Sequence, residues 1–145
     1  MSTSIMIRAA GRDDAADLAR LLEILGYPTA PEEALRRLGR LENTGLDQVL
    51  VAEGPGALVG LLALHITPVL LHEPGPVGRI TALVVDPAHQ RSGVGAQLLG
   101  AAEQLLRKAG CALVEVSSNN RRADAHAFYL GRGYQQSHGL FRKEL

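Results

Sequence analysis

The sequence predicts an α/β (α+β) domain, a single sheet with helices packed on it. Two observations carry that expectation. Apolar residues recur at helical spacing in several segments, and short runs rich in Val, Ile and Leu alternate with them between glycine- and proline-containing turns. With 145 residues, 46% hydrophobic and 21% charged, the chain has the size and composition of one domain with a real core. One domain over residues 1–145 is therefore expected.

The elements follow in order. "SIMIRAA" (4–10) reads as a strand. In "DDAADLARLLEILGY", Ala15, Leu18, Leu21, Leu22 and Leu25 share one helical face, with Asp13 or Asp14 as N-cap and Gly26 as stop. "TAPEEALRRLGRLE" reads as a second helix, with Thr29 and Glu32 spaced as a capping box and Pro31 in the first turn. "DQVLVAE" (47–53) and "ALVGLLALHI" (57–66) flank "GPG", a hairpin signal. The three prolines of 67–78 mark a loop, and "RITALVV" (79–85) a buried strand ended by "DPAHQ". From Gly93 to Lys108, Val94, Leu98, Leu99, Ala102, Leu105 and Leu106 repeat at helical spacing, closed by Gly110. "CALVEVSS" (111–118) is a strand and "ADAHAFYLG" (123–131) a short helix, and "GYQQS" with "LFRKEL" reads as a terminal strand pair.

Composition excludes several functions. Lys plus Arg number 15 and so do Asp plus Glu, which leaves no global field for nucleic acid or an anionic membrane. Aromatics at 3% and the absence of Trp argue against base stacking. No stretch approaches 18 apolar residues, and "MSTSIMIRAA" lacks the blocks of a signal peptide. The one cysteine, Cys111, has no internal disulfide partner and reads as core packing, so a cytoplasmic protein is expected. No His/Cys/Asp cluster has structural metal-site spacing.

One loop carries chemistry. "HQRSGVGAQLL" (89–99) places Gly93 and Gly95 between a strand and a long helix. A helix N-terminus exposes unpaired N–H groups and a positive dipole end, and glycines let a phosphate reach them. Arg91 offers a charge-assisted contact. The same glycines also serve a plain turn, and the loop alone does not separate the two readings. A dinucleotide fingerprint is excluded because position 98 is Leu, and a P-loop because Ala96 and Gln97 follow Gly95.

Gln90-Arg91-Ser92-Gly93-Val94-Gly95, after a strand ending "VVDP" and before "AHAFYLGRGY", resembles the Q/R-x-x-G-x-G/A and A-x-x-F-Y-x-x-x-G-[FY] motifs of the GCN5-related N-acetyltransferases. The resemblance covers essentially the whole chain. It implies a mixed, mostly antiparallel sheet with helices on both faces, and acetyl-CoA as cosubstrate. Its pyrophosphate would lie on Gln90, Arg91, Ser92, Gly93, Val94, Gly95 and Ala96, and its pantetheine arm along the main chain of Leu83, Val84 and Val85 like an added strand. Asn119 and Asn120, with Ser118, end the next strand near that arm, or form a turn.

The chemistry so implied is direct attack of a primary amine in a ternary complex. Tyr129 matches the family tyrosine that protonates the departing thiolate. An ordinary tyrosine, with a pKa near 10, is a weaker acid than a thiol near 8.5, so either its pKa is lowered in place or it acts by hydrogen bonding. Glu115, in a strand E-V pair used as base by some members, is the candidate base, against the plainer reading of a carboxylate facing solvent or pairing with an Arg. Other members carry the base on the preceding strand, where Arg79 and Ala82 stand here, and His72 and Glu73 are substitutes just before it. His126 reads as a buried structural histidine.

The C-terminal third, "SSNNRRADAHAFYLGRGYQQSH" with "FRKEL", looks like the aminoalkylphosphonate N-acetyltransferase branch. If the likeness extends to chemistry, Arg121 or Arg122, with His65 or His72, would receive a phosphonate. That branch is linked with divalent metals, for which the sequence itself shows no site. The expected partner is a small-molecule amine, with room for a homodimer. The competing readings are a protein or peptide N-acetyltransferase and a non-catalytic acyl-CoA-binding module.

Overall fold

The computed structural model describes residues 4–70, 75–117, 123–136 and 141–145. Strands β1 (Met6–Ala9), β2 (Asp47–Glu53), β3 (Leu58–Thr67), β4 (Val77–Val85) and β5 (Leu113–Val116) form one sheet in that order. The first three pairings are antiparallel and β4–β5 is parallel. Only that last pair needs a crossover, supplied by α3 (Val94–Lys108).

Side-chain alternation divides the sheet between two cores. Leu50, Ala52, Leu62, Leu64 and Ile80 bury one face against Leu98, Leu99, Ala102 and Leu106 of α3. Val51, Leu61 and Val84 bury the other against Leu18 and Leu21 of α1 (Ala15–Leu25) and Ala34 and Leu38 of α2 (Pro31–Thr44). Helices thus cover both faces, as the family resemblance implies. No helix among the described residues is long and apolar enough to cross a membrane.

One irregularity interrupts the β3–β4 ladder. Ala63 faces Ala82 but Leu64 faces Ile80, so Thr81 is an extra residue. Such a bulge reverses the in–out alternation beyond it. Ile80 and, after the bulge, Leu83 and Val85 consequently all turn to the α3 core, while Val84 turns to α1 and α2.

Several local expectations are corrected. Thr29 forms no capping box: α2 is preceded by Ala30 in extended backbone, Pro31 opens it, and the Thr29 hydroxyl donates to Tyr27 O at 2.7 Å. The strand β4 begins at Val77, inside the segment read as loop. Residues 134–136 and 141–145 carry no strand, so the terminal pair is absent among the described residues. Asp14 precedes α1 but its side chain does not cap it.

That carboxylate does something else. Asp14, 8% exposed, accepts from Arg8 Nη1 and Nη2 at 2.8 and 2.9 Å and from the Gly11 N–H at 2.7 Å. It ties β1 to the start of α1, and the Arg8 bonds hold its carboxyl below the usual range. Asp14→Asn should therefore cost about 2 kcal/mol at neutral pH, the scale of hydrogen bonds to a charged group. Because the folded value is depressed, that stability is complete above the unfolded value near 3.9 and is lost as pH falls through the folded one. Urea midpoints across the acid range should show the variant's acid limb flatter than the parent's.

Candidate functional site

β4 is paired on one edge along its length but on the other only in part. Residues Thr67 to Gly60 of β3 accompany Val77 to Val85, whereas β5 pairs with Val77–Ile80 alone. Past the bulge no strand pairs with the β5-side edge of Ala82–Val85 among the described residues, and the β4–β5 pairing ends at a vertex, Ile80 and Val116. An exposed row of main-chain groups is a template for an extended ligand rich in amides. Leu83, Val84 and Val85, the predicted arm-binding residues, lie on this open edge.

The open edge leads into the glycine loop. Asp86 follows Val85 and anchors the turn: its N–H donates to Val59 O at 2.8 Å, Oδ1 accepts from the Ala88 N–H at 3.0 Å, and Oδ2 accepts from Arg20 Nη1 at 2.7 Å. Arg20 Nη2 also donates to Leu58 O at 2.6 Å, so α1 clamps the end of the sheet. The Ala88 N–H first, and Arg20 after it, hold the Asp86 carboxyl below its ordinary range. The Gln90 amide donates to Val85 O at 3.3 Å and the Ser92 hydroxyl to His89 O. Both side chains thus fold the loop, and Gln90 to Gly93 are exposed.

Arg91 and Gly93 adopt left-handed backbone, φ 67° and 86°. A Cβ on Gly93 would meet nothing within 4 Å, so its glycine answers to the dihedral and not to space. Gly95 is the reverse case: a Cβ there would stand 3.5 Å from Phe128, ordinary contact, and anything larger would push that ring. The first helical bond of α3 runs from the Gln97 N–H to Gly93 O at 3.0 Å. The N–H groups of Val94, Gly95 and Ala96 are therefore left without intrahelical acceptors at a helix start that carries no acidic residue in its first turn. This end of α3 suits an anion.

Beside it lies α4 (Ala123–Gly131), whose Phe128 packs near Gly95 and Val85. The helix ends in a Schellman motif: Tyr134 N–H reaches Tyr129 O at 3.1 Å and Gly133 N–H reaches Leu130 O at 3.2 Å, with Gly133 at φ 88°. That reversal sets the Tyr129 ring edge-on between Phe128 and Tyr134, with centroids at 5.3 and 5.8 Å. The Tyr134 hydroxyl donates to Glu103 of α3 at 2.8 Å and locks the pair to the core. Burial raises the Tyr129 hydroxyl above its ordinary value, which keeps it protonated.

The α1/α2 face at the vertex is polar. Glu115 stands opposite Arg79 in the β4–β5 ladder, with Oε1 3.5 Å from Arg79 Nη2 and both side chains about half exposed, 49% and 48%. The plainer reading of Glu115, a carboxylate paired with an Arg, is thus realised in the protein. Arg79 in turn stands opposite His65, and His65 opposite Asp47.

The predicted residues fall into three groups. The loop, the open edge and Tyr129 converge on one end of the sheet. Glu115 sits at the vertex on the α1/α2 face, whereas Tyr129 packs with the α3 core. Ser118, Asn119, Asn120, Arg121, Arg122, His72 and Glu73 lie outside the described residues. His126 is exposed, which corrects its reading as a buried histidine, because the short helix turns Phe128 and Tyr129 inward instead. Cys111 is buried and its thiol is pushed up by desolvation, as core packing requires. Asp86, Arg20, Glu103 and Asp47 were not singled out by sequence reasoning. Only the "VVDP" context pointed to Asp86, and nothing local marks the others. Among the described residues no group of three or more His, Cys, Asp or Glu is arranged to hold a metal ion.

Comparison with known proteins matches this architecture. The chain is 46% identical over 90 residues to an aminoalkylphosphonate N-acetyltransferase of Salmonella typhimurium, a stretch that covers 62% of this chain and 58% of that protein. Glucosamine-6-phosphate N-acetyltransferase from Arabidopsis thaliana superposes with a TM-score of 0.84 at 22% identity, over 97% of this chain and 98% of that one. An aminoglycoside N-acetyltransferase in complex with CoA superposes with a TM-score of 0.86 at 15% identity, over 100% of this chain and 97% of that one. At these identities the two structures speak for the fold alone. The model of the acetyltransferase (GNAT) family matches residues 14–134, and with the half-paired β4, the glycine loop and the α4 tyrosine in place, the chain belongs to that family.

Proposed function

We propose that the protein is an acetyl-CoA-dependent N-acetyltransferase that acetylates the primary amine of a small molecule, and that the amine is an aminoalkylphosphonate. The observation that carries the reading is the open β5-side edge of Ala82–Val85 running into the N-terminus of α3. The main chain of Leu83, Val84 and Val85 pairs with the amides of the pantetheine arm. The N–H groups of Val94, Gly95 and Ala96, with the loop from Gln90 to Gly93, receive the pyrophosphate. Asn119 and Asn120, which the family resemblance sets near the arm, would donate to its amides. With the cosubstrate in this direction, the thioester lies at the vertex, beside the Arg79–Glu115 pair. The phosphonate assignment rests on the curated relative from Salmonella typhimurium and its shared stretch.

The residues then divide the work. Main-chain N–H groups at the vertex polarise the thioester carbonyl. An alkylammonium with an ordinary pKa near 10.4 is neutral in only about one molecule per thousand at pH 7, so Glu115 draws it in and accepts a proton from its nitrogen. Tyr129 serves the leaving sulfur from the opposite side. Since burial raises its hydroxyl, the lowered-pKa alternative is set aside: Tyr129 acts as a neutral donor that hydrogen-bonds the developing thiolate.

Release of free thiol from acetyl-CoA, measured across a panel of amines and peptides, tests the reading. Aminoalkylphosphonates should be the preferred acceptors, and absence of turnover across small amines would sink it. Peptides outcompeting amines would point to a protein acetyltransferase, and a CoA-induced rise in Tm without thiol release to a binding module. Tyr129→Phe should lower kcat by about 10²-fold while leaving KM for acetyl-CoA within about twofold, as loss of a transition-state donor does. Its raised value also has a sign: the donor persists to above pH 10, so kcat should show no Tyr129 loss limb below that. Glu115→Gln should lower kcat/KM for the amine by about tenfold or more; an unchanged alkaline profile would remove it from the mechanism.

A further inference from the structure

On the α1/α2 face, four polar side chains stand in one cross-strand row: Asp47 on β2, His65 on β3, Arg79 on β4 and Glu115 on β5. Directly opposed residues of a ladder present their side chains to the same face. The row lies within the paired part of β4–β5, one residue before the vertex and two before the bulge at Thr81. Towards the other end, Val51, Leu61 and Val84 on the same face are buried under α1 and α2. The row itself is open, with His65, Arg79 and Glu115 side chains 35%, 48% and 49% exposed.

Within the row one pair is built differently from the other. Asp47 is nearly covered, its side chain 12% exposed, and it accepts from His65 Nδ1 at 2.9 Å and from the Thr44 hydroxyl of α2 at 2.7 Å. A carboxylate only accepts, so Nδ1 donates this bond, and in the neutral ring Nε2 is then the nitrogen with the lone pair. Thr44 stands on the other side of the carboxylate, its single hydroxyl proton shared between Asp47 Oδ2 and Leu41 O and its oxygen accepting from the Leu46 N–H. The histidine is therefore oriented by a held carboxylate, as a general base is.

We propose that the Asp47–His65 pair is a second proton acceptor on the amine side of the site, His65 the catalytic base and Asp47 its positioning residue; the inference rests on the acetyl-transfer reading above. Balance requires such a group. An ammonium acceptor that becomes an amide forms one C–N bond, the thioester loses its C–S bond, and the nitrogen sheds two protons. One is balanced by the proton that the departing sulfur gains as the thiol forms. The other must reach bulk water. Glu115 accepts at the vertex, and partly exposed His65 takes the proton bound for solvent, directly or through one water, with Asp47 stabilising the imidazolium.

The tautomer is read without turnover. Long-range proton–nitrogen NMR of the nitrogen-labelled chain, with the His65 signals assigned by their loss in His65→Gln, should show Nδ1 protonated and Nε2 bare in the resting protein. His65→Gln, which removes the titratable ring, should lower kcat/KM for the amine by about 10²-fold with KM for acetyl-CoA within about twofold. Asp47→Asn should lose less, and added imidazole should restore rate to His65→Ala but not to Glu115→Gln. An Nε2-protonated resting tautomer, or His65→Gln within about twofold of the parent, overturns the proposal. A chain that acetylates no amine defeats the acetyl-transfer reading instead, whatever the tautomer.

Discussion

The architecture of the site depends on how β4 shares its hydrogen bonds. A strand inside a sheet normally satisfies both edges with neighbours, and one that does not must expose donors and acceptors or find other partners for them. Here β3 pairs with β4 to its end, while among the described residues β5 pairs with it only as far as Ile80. The bulge at Thr81 marks where this happens. A bulged strand bends and twists more strongly than a regular one. The bulge also resets the alternation, so Leu83 and Val85 still reach the α3 core and that half of the strand stays anchored by packing.

Two clamps keep the ends of the site in place. At one end, Arg20 of α1 bridges Asp86 and the Leu58 carbonyl, so a helix on one face fixes the turn that starts the helix on the other. At the other, the Schellman turn after α4 and the Tyr134–Glu103 bond fix Tyr129 to α3. A hydrogen bond to a charged partner contributes about 1.5–3 kcal/mol, enough to hold a nine-residue helix that would be marginal on its own. The G-[FY] end of the downstream motif thereby gains a physical reason. Its glycine takes the left-handed turn, and its aromatic folds back on the tyrosine it positions.

Local chemistry made most of the fold legible. The periodic segments of α1 and α3 and the β2–β3 hairpin are specified by neighbours in sequence, and they stand where their patterns put them. The failures share a cause. Thr29 had the spacing of a cap, but Pro31 already opens α2 and its hydroxyl found the Tyr27 carbonyl. Arg8 and Asp14, Arg20 and Asp86, and Asp47 and His65 are pairs whose partners are set by strand register or helix packing. No window of sequence contains that information. The bulge is equally silent, because nothing in "RITALVV" marks Thr81 as the residue left over. For the site, the glycine loop and Tyr129 were readable because each sits in one contiguous motif. The acceptor face was not, since it is assembled one residue per strand.

This contrast bears on which part of the molecule sets its specificity. On the proposed reading the loop and the open edge would work mainly through main-chain groups, which Val, Leu or Ala present equally well, so that half of the site would tolerate drift in side chains. The row from Asp47 to Glu115 works only through side chains, with formal charges that nearly cancel and with Arg79 tied to Glu115 across a partly exposed 3.5 Å contact. Exposed pairs of this kind contribute little to stability, about 0–1 kcal/mol. Their substitution is therefore cheap for the fold and consequential for whatever lies above them. On the acetyl-transfer reading proposed above, an acceptor that carries both an ammonium and an anionic group would meet both signs within this row, the carboxylate of Glu115 and the guanidinium of Arg79 standing 3.5 Å apart on adjacent strands. Their placement follows from the register of the strands, one residue from each.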